Sequence, residues 1–230
     1  MRLSTVLLDA GGVMLDEAEF ETLMVRLMVE TLAPHVPGYS AADYESDVEE
    51  AVFSFCPSVT QYVLWKHFNP DVRLFDDVYA AHWARYGEQR PPLRLMAGIE
   101  AEIRLLSQDF RLVIAGQYGS EMVDLLQQHG LLDCFASRLT QDDFDITKPD
   151  PRYLERICAA VGVDPRECVM VGDRIDKDVI PAKRVGMKTV RLRIGLHRNQ
   201  EPRTPWEIPD VELDGVSGLA EAVRRLAQED

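Results

Sequence analysis

Three places in the 230-residue sequence pair a residue type with a setting that suggests chemistry. Asp9 closes the apolar run of LLDAGGVML and is followed by two glycines, with no second acid close behind. Asp173 closes ECVMVGD, and GDRIDKD adds Asp176 and Asp178 just beyond it. Lys148 stands in TKPDP, in a loop before a helix-like stretch. Two aspartates meeting at one strand edge repel each other unless a cation lies between them. A hard Mg²⁺ ion suits such a place, taking a few carboxylates, a backbone carbonyl and retained waters. Lys148 would supply positive charge for a phosphate or a covalent intermediate. Singly, each residue also fits a solvated loop acid or a helix N-cap. Their order and their strand-end settings together point to a site.

The elements that must position them can be read from periodicity. TVLLD, residues 5–9, is a short apolar run ended by glycines and predicts a buried strand. From Asp16 to about Pro92 the spacing turns helical. EAEFETLMVRLMVETL stops before Pro34, and SAADYESDVEEAVFSF opens on Ser40 with Asp43 three residues on, a capping-box pattern. Tyr44, Val48, Val52 and Phe55 then share one face. VTQYVLWKHF and DDVYAAHWARYG predict two more helices, parted by Asn69-Pro70. Apolar residues in the first of these segments could pack internally or form a dimer interface, and internal packing is the expectation.

After Pro91-Pro92 strands and helices alternate. MAGIEAEIRLLSQ, SEMVDLLQQHG, DPRYLERICAAVG, KDVIPAKRVG and SGLAEAVRRLAQ read as helices; RLVIAG, FASRLT, ECVMVGD and KTVRLRI read as strands. Repeated βα units with buried strands predict an α/β fold, a doubly wound parallel sheet covered on both faces, with a helical domain inserted after the first strand. The expected boundaries are 1–15 and 93–230 for the α/β core and 16–92 for the insertion. Ligands of such sheets bind beyond the carboxyl ends of the strands. Asp9, Ala115-Gly116-Gln117 and Gly172-Asp173 all fall there.

Composition narrows the partners. The formal net charge is 25 − 39 = −14 and no Lys/Arg-rich block occurs, which disfavours nucleic acid. No apolar run approaches membrane-spanning length, and the short N-terminal run opens directly into a strand, so a cytoplasmic protein is expected. Cys56, Cys134, Cys158 and Cys168 are far apart in sequence and contain no CxxC pair, which supports neither zinc nor a disulfide framework. Nothing in the sequence sets an oligomeric state.

With these residues in view, the chain resembles the haloacid dehalogenase (HAD) superfamily over essentially its whole length. Asp9 matches the first-motif nucleophile, KPDP the third motif with Lys148, and GDRIDKDVIPAKRVGMKTV the fourth. The fourth motif with its flanks is the specific part of the match. The inserted helices are similar to the family's C1-type cap. The resemblance implies a Rossmann-like core and Mg²⁺ held by Asp9, the Gly11 carbonyl and Asp173, with Asp178 as a further or supporting ligand. It implies that Lys148 stabilises both Asp9 and the phosphoryl group of a small phosphorylated molecule. Asp176 is the weaker candidate.

Two departures matter. Family phosphatases carry DxD, whose second acid protonates the leaving group and then activates water; here that position is Gly11. The second motif usually ends in Ser or Thr; here VIAGQYG offers Ala115 or Gly116, depending on alignment, with no hydroxyl. Gln117 and the N–H groups of the following helix could bind the anion instead, so Gly116, Gln117 and Lys148 are the expected substrate contacts. The resulting expectation is a Mg²⁺-dependent hydrolase of weak or altered activity acting through an aspartyl-phosphate on Asp9. Asp16, or Lys66 and His67 of WKHF, could replace the missing acid; each also fits an ordinary helix cap or a solvated surface. The alternatives are a non-catalytic phospho-ligand or protein-binding relative, a phosphotransferase, and a phosphonate-cleaving enzyme that would use Lys66 for a Schiff base.

Overall fold

The computed structural model describes residues 2–229. Five strands form one sheet: β1 (Thr5–Leu8), β2 (Arg111–Ile114), β3 (Cys168–Gly172), β4 (Lys188–Leu192) and β5 (Val211–Leu213), in the order β2-β1-β3-β4-β5. All pairs are parallel, with Leu8 opposite Ile114 on one side and Val171 on the other. Strand residues alternate between two cores, as period-2 geometry requires. Val6, Leu8, Leu112, Ile114, Val169 and Val171 pack on one face with α5 (Ile99–Leu106), α6 (Ser120–Gln128) and α9 (Leu219–Leu226). Leu7, Val113, Ala115, Cys168 and Met170 pack on the other with α7 (Pro151–Val161) and α8 (Ile180–Arg184). The α/β doubly wound sheet expected from the sequence is therefore present.

The chain divides into two compact units, Met1–Asp16 with Leu93–Asp230, and Glu17–Pro92. The second contains α1 (Ala18–Leu32), α2 (Ala41–Phe53), α3 (Val59–Phe68) and α4 (Val72–Gln89). Ser40 caps α2 in a reciprocal box with Asp43. Leu23, Met24, Leu27, Met28 and Leu32 of α1 are buried, as internal packing demands. No helix among the described residues is long and apolar enough to cross a membrane.

Some local expectations change. FASRLT is not a strand: only Phe135 makes a single bridge to Leu112, after which Thr140 and Asp143 form a capping box on a short 3₁₀ turn. Phe55 is not on the buried face of α2, because that helix ends at Phe53 and Phe55 takes a left-handed φ of 56°. The segment after Asp173 is not one α-helix; Ile175–Val179 forms a π-turn before α8, whose first turn carries Pro181. β5 adds an edge strand too short to stand out by periodicity. Cys158 and Cys168 are distant in sequence but adjacent in space, buried with their Sγ atoms 3.8 Å apart.

One buried group makes the helical unit sensitive to acid. His82 is 1% exposed; its Nδ1 meets the Thr31 hydroxyl at 3.1 Å and its Nε2 has no hydrogen-bond partner among the described residues. Burial, aided by nearby Arg85, pulls its pKa down to about 4 from 6.5. The unfolded chain then binds a proton that the folded chain rejects, so stability falls as pH drops from about 6.5 towards 4. At about 1.4 kcal/mol per unit, the loss attributable to His82 is about 3 kcal/mol. Thermal unfolding across that window should show a flatter acid limb in His82→Gln; equal slopes in variant and wild type would contradict this.

Candidate active site

The sheet order decides which loops can meet. β1 lies between β2 and β3, so the chain departs from the carboxyl ends of β1 and β3 in different directions and leaves a crevice. Asp9 extends the ladder one residue past β1, its N–H donating to the Val171 carbonyl at 2.9 Å. Asp173 follows β3 directly. Lys148 arrives from the loop ahead of α7, where Asp150 accepts from the Arg152 N–H as N-cap.

Lys148 joins these segments. Its ammonium lies 2.8 Å from Asp9 Oδ1 and 2.5 Å from Asp178 Oδ1, and all three residues are buried. Asp178 Oδ2 accepts the Arg174 N–H at 3.0 Å, so both oxygens of Asp178 are engaged by the protein. Asp9 Oδ1 also accepts the Ala10 N–H at 2.8 Å, whereas Oδ2 makes no hydrogen bond among the described residues. Burial acts to lower the Lys148 pKa, but Asp178 and Asp9 outweigh it and the net shift is upward. Burial pushes the Asp178 carboxyl up to about 6 against the opposing pull of Lys148. The two directions have one origin: two carboxylates stabilise the single cation, while for the deeper carboxylate desolvation and the neighbouring Asp9 charge outweigh the pull of Lys148 and of the Arg174 N–H.

Ligand oxygens of Asp9, Asp173 and Asp178 all lie within 4.8 Å of one another. Three carboxylates and one ammonium leave a formal charge of −3 + 1 = −2. An all-oxygen donor set with that deficit fits a hard divalent cation such as Mg²⁺. Gly11, two residues after Asp9, is partly exposed. Asp176 is turned to another use: the Arg174 guanidinium grips it at 3.1 and 2.7 Å, and Gln200 Nε2 donates to it at 2.8 Å.

Glycines shape the cradle. Gly12 has φ 65°, and a Cβ there would lie 2.9 Å from the Asp173 carboxylate. A Cβ on Gly172 would lie 2.3 Å from Asp178, so Asp178 reaches the strand end only because that residue is glycine. At Gly116 a Cβ would meet Ala10 Cβ at 2.3 Å and Ala10 N at 2.6 Å, so this backbone admits no serine there. Ala115 is fully buried in the α7 core, and the Tyr153 hydroxyl donates to the Gly116 carbonyl at 3.3 Å. Gln117 is half-buried and makes no hydrogen bond among the described residues.

The other residues considered from sequence fall elsewhere. Asp16 is exposed and outside the carboxylate cluster, with its N–H on the Arg94 carbonyl at 3.0 Å. Within the helical unit, Lys66 Nζ lies 2.8 Å from Asp47 Oδ1 and also pairs with Glu50. His67 Nε2 and the Tyr39 hydroxyl each lie 2.7 Å from Asp47 Oδ2. Lys66 and His67 therefore tie α3 to α2 rather than standing as solvated surface groups. Sequence reasoning missed Arg174, Arg191 and Gln200; the signal was a polar residue in or beside an otherwise apolar, buried segment.

Two substitutions test this geometry. Lys148→Met would strand two buried carboxylates and should cost about 3–5 kcal/mol in urea unfolding; a loss below about 1 kcal/mol would mean that the pair behaves like a surface ion pair. Gly116→Ser should cost about 1–3 kcal/mol through overpacking against Ala10; unchanged stability would show that this backbone yields freely.

Comparison with known proteins places the chain in a family. A model of the haloacid dehalogenase-like hydrolases matches residues 3–186. A glyceraldehyde 3-phosphate phosphatase of Methanopyrus kandleri is 38% identical over 100 residues, covering 44% of this chain and 43% of that protein. A phosphoglycolate phosphatase of Vibrio vulnificus is 31% identical over 151 residues, covering 65% and 63%. The chain thus spans less than two thirds of the length of these curated relatives. Among solved structures, a HAD phosphatase from Thermococcus onnurineus superposes with a TM-score of 0.59 at 26% identity, covering 96% of this chain and 98% of that one. The family model runs from β1 through α8 and so takes in Asp9, Lys148 and the turn after β3; the chain belongs to the haloacid dehalogenase-like hydrolase family.

Proposed function

We propose that the protein is a Mg²⁺-dependent phosphohydrolase of small phosphorylated metabolites, acting through an aspartyl-phosphate on Asp9. The observation that carries this reading is the state of the Asp9 carboxylate: one oxygen held by Lys148 and the Ala10 N–H, the other making no hydrogen bond among the described residues. The phosphatase names of the relatives from Methanopyrus kandleri and Vibrio vulnificus support the reaction class. Asp9, Asp173 and the Gly11 carbonyl would hold the Mg²⁺, with Asp178 supporting them through Lys148. Once bound, the ion supplies positive charge that offsets the phosphoryl oxygens.

The chain's own residues account for the rest. Asp9 attacks phosphorus, the P–O bond to the alcohol breaks, and water later cleaves the acyl phosphate to return Asp9 and inorganic phosphate. Lys148 orients Asp9 and, as a fixed ammonium, favours the phosphoryl anion. Gln117 and the N–H groups leading into α6 are the donors available where other family members place a hydroxyl. Gly11 supplies no proton, so the leaving alcohol takes one from solvent and the attacking water loses one without help. A positioned acid/base is worth on the order of 10²–10⁴-fold. Turnover of ordinary esters is accordingly slow, and good leaving groups suffer least.

A second reading, a phospho-ligand-binding protein without turnover, is favoured by the absence of both side chains, at Gly11 and at Ala115. A phosphonate-cleaving Schiff base loses support, because hydrogen bonds to Asp47 and Glu50 push the Lys66 pKa up and hold its nitrogen as ammonium. Phosphate release from a panel of small esters separates the two main readings. Hydrolysis should require Mg²⁺, vanish in chelator and in Asp9→Asn, and rise by about 10²-fold or more in Gly11→Asp. Release that is equal in wild type and Asp9→Asn would leave the binding protein.

A further inference from the structure

Arg191, on β4, is the largest fully buried side chain among the described residues. A guanidinium withdrawn from water is costly unless its donors are matched. Here Nε donates to the Asp173 carbonyl at 3.2 Å, Nη2 to the His197 and Arg198 carbonyls at 3.0 and 3.3 Å, and Nη1 pairs with Glu212 at 3.1 Å. Arg191 is the register partner of Gly172, so its side chain starts beside the last residue of β3 and reaches the first carbonyl beyond it.

Gln200 is equally buried and uses both ends of its amide. Oε1 accepts the N–H of Ile175, which opens the π-turn, at 2.7 Å. Nε2 donates to Asp176 at 2.8 Å, where Arg174 also binds. The segment carrying Gln200 is braced on itself through Gln200 N–H to His197 O at 3.0 Å. Two side chains from beyond β3 thus hold the backbone at Asp173 and at Ile175, where the chain enters the turn that leads to Asp178. Sheet packing alone needs neither of these polar groups, since an apolar residue at either place would bury without the desolvation cost.

We propose that Arg191 and Gln200 are positioning residues for the cation site, fixing the turn so that Asp173 and Asp178 are presented without reorganisation. The proposal rests on the reading that Asp173 holds the divalent ion. Partners that orient ligands in this way are commonly worth about 10–100-fold in metal affinity. Arg191 fixes Asp173 through its carbonyl; Gln200 fixes Asp178 through the start of the turn and through Asp176. The site thereby depends on a stretch of chain outside residues 3–186, where the family match lies.

The test is calorimetric titration of the full-length chain with Mg²⁺ alone, on wild type, Asp173→Asn, Gln200→Met, Arg191→Lys and Leu226→Ala. The last removes a core side chain on α9 and serves as a stability control; Gln200→Met is near-isosteric and guards against an Arg191 variant that fails to fold. The expected result is no binding in Asp173→Asn, a Kd raised about 10-fold or more in Gln200→Met and Arg191→Lys, and an unchanged Kd in Leu226→Ala despite its lower Tm. Gln200→Met and Arg191→Lys binding like Leu226→Ala, with Asp173→Asn silent, would overturn the positioning role and leave the cation site standing. Wild type that takes up no Mg²⁺, or Asp173→Asn that binds like wild type, would overturn the cation site and the positioning role together.

Discussion

A single buried ammonium organises this site. Lys148 stands between Asp9 and Asp178, so one side chain joins the end of β1, the loop before α7 and the turn after β3. None of the three charges is comfortable alone, because each is withdrawn from water. Together they balance only in part, and with the Asp173 carboxylate beside them the net charge is −2, which a divalent cation would offset. The rest of the core follows from this constraint. A parallel sheet with β1 next to β3 brings the two acidic segments to one edge, and apolar residues on both faces keep the ladder in register.

The glycines are the second half of the design. Gly12 and Gly172 let the Asp173 and Asp178 carboxylates approach backbone that any side chain would obstruct. Gly116 sits against Ala10 so tightly that the backbone after β2 runs hard by Asp9, the proposed nucleophile. The hydroxyl expected in the second motif is thus excluded at residue 116 by contact, and at Ala115 the side chain belongs to the α7 core. What remains is a carboxylate held by Lys148, with one oxygen making no hydrogen bond among the described residues, and Gly11 where family phosphatases carry a second acid. On the proposed reading, such a site would retain the means of forming an acyl phosphate and would have lost the means of hurrying its hydrolysis.

Much of this was legible in the sequence because it rests on strong local signals. Buried apolar runs ending in Asp9 and in Gly172-Asp173, and helices bounded by Ser40, Gly130 and Gly162, follow from periodicity and capping. The GDRIDKD acids stood out as a group, but the sequence could not separate Asp178, which meets Lys148, from Asp176, which meets Arg174 and Gln200. That separation depends on the π-turn, which shifts side-chain directions by one residue relative to an α-helix. Arg191 and Gln200 gave a weaker signal for a different reason: their partners, the Asp173 and Ile175 backbone together with Glu212 and Asp176, are brought close only by the fold. The close approach of the free thiols of Cys158 and Cys168 and the single bridge at Phe135 are likewise tertiary outcomes.

The central claim is that the Asp9 carboxylate receives a phosphoryl group, and trapping that adduct tests it most directly. The protein would be mixed with a radiolabelled acyl phosphate and Mg²⁺, quenched in acid at short times, and digested for peptide mapping. The account predicts label on Asp9 approaching one equivalent per chain, because formation tolerates the missing acid/base better than hydrolysis does. Phosphate released without label on Asp9 at any time, or label that persists in Asp9→Asn, would contradict it.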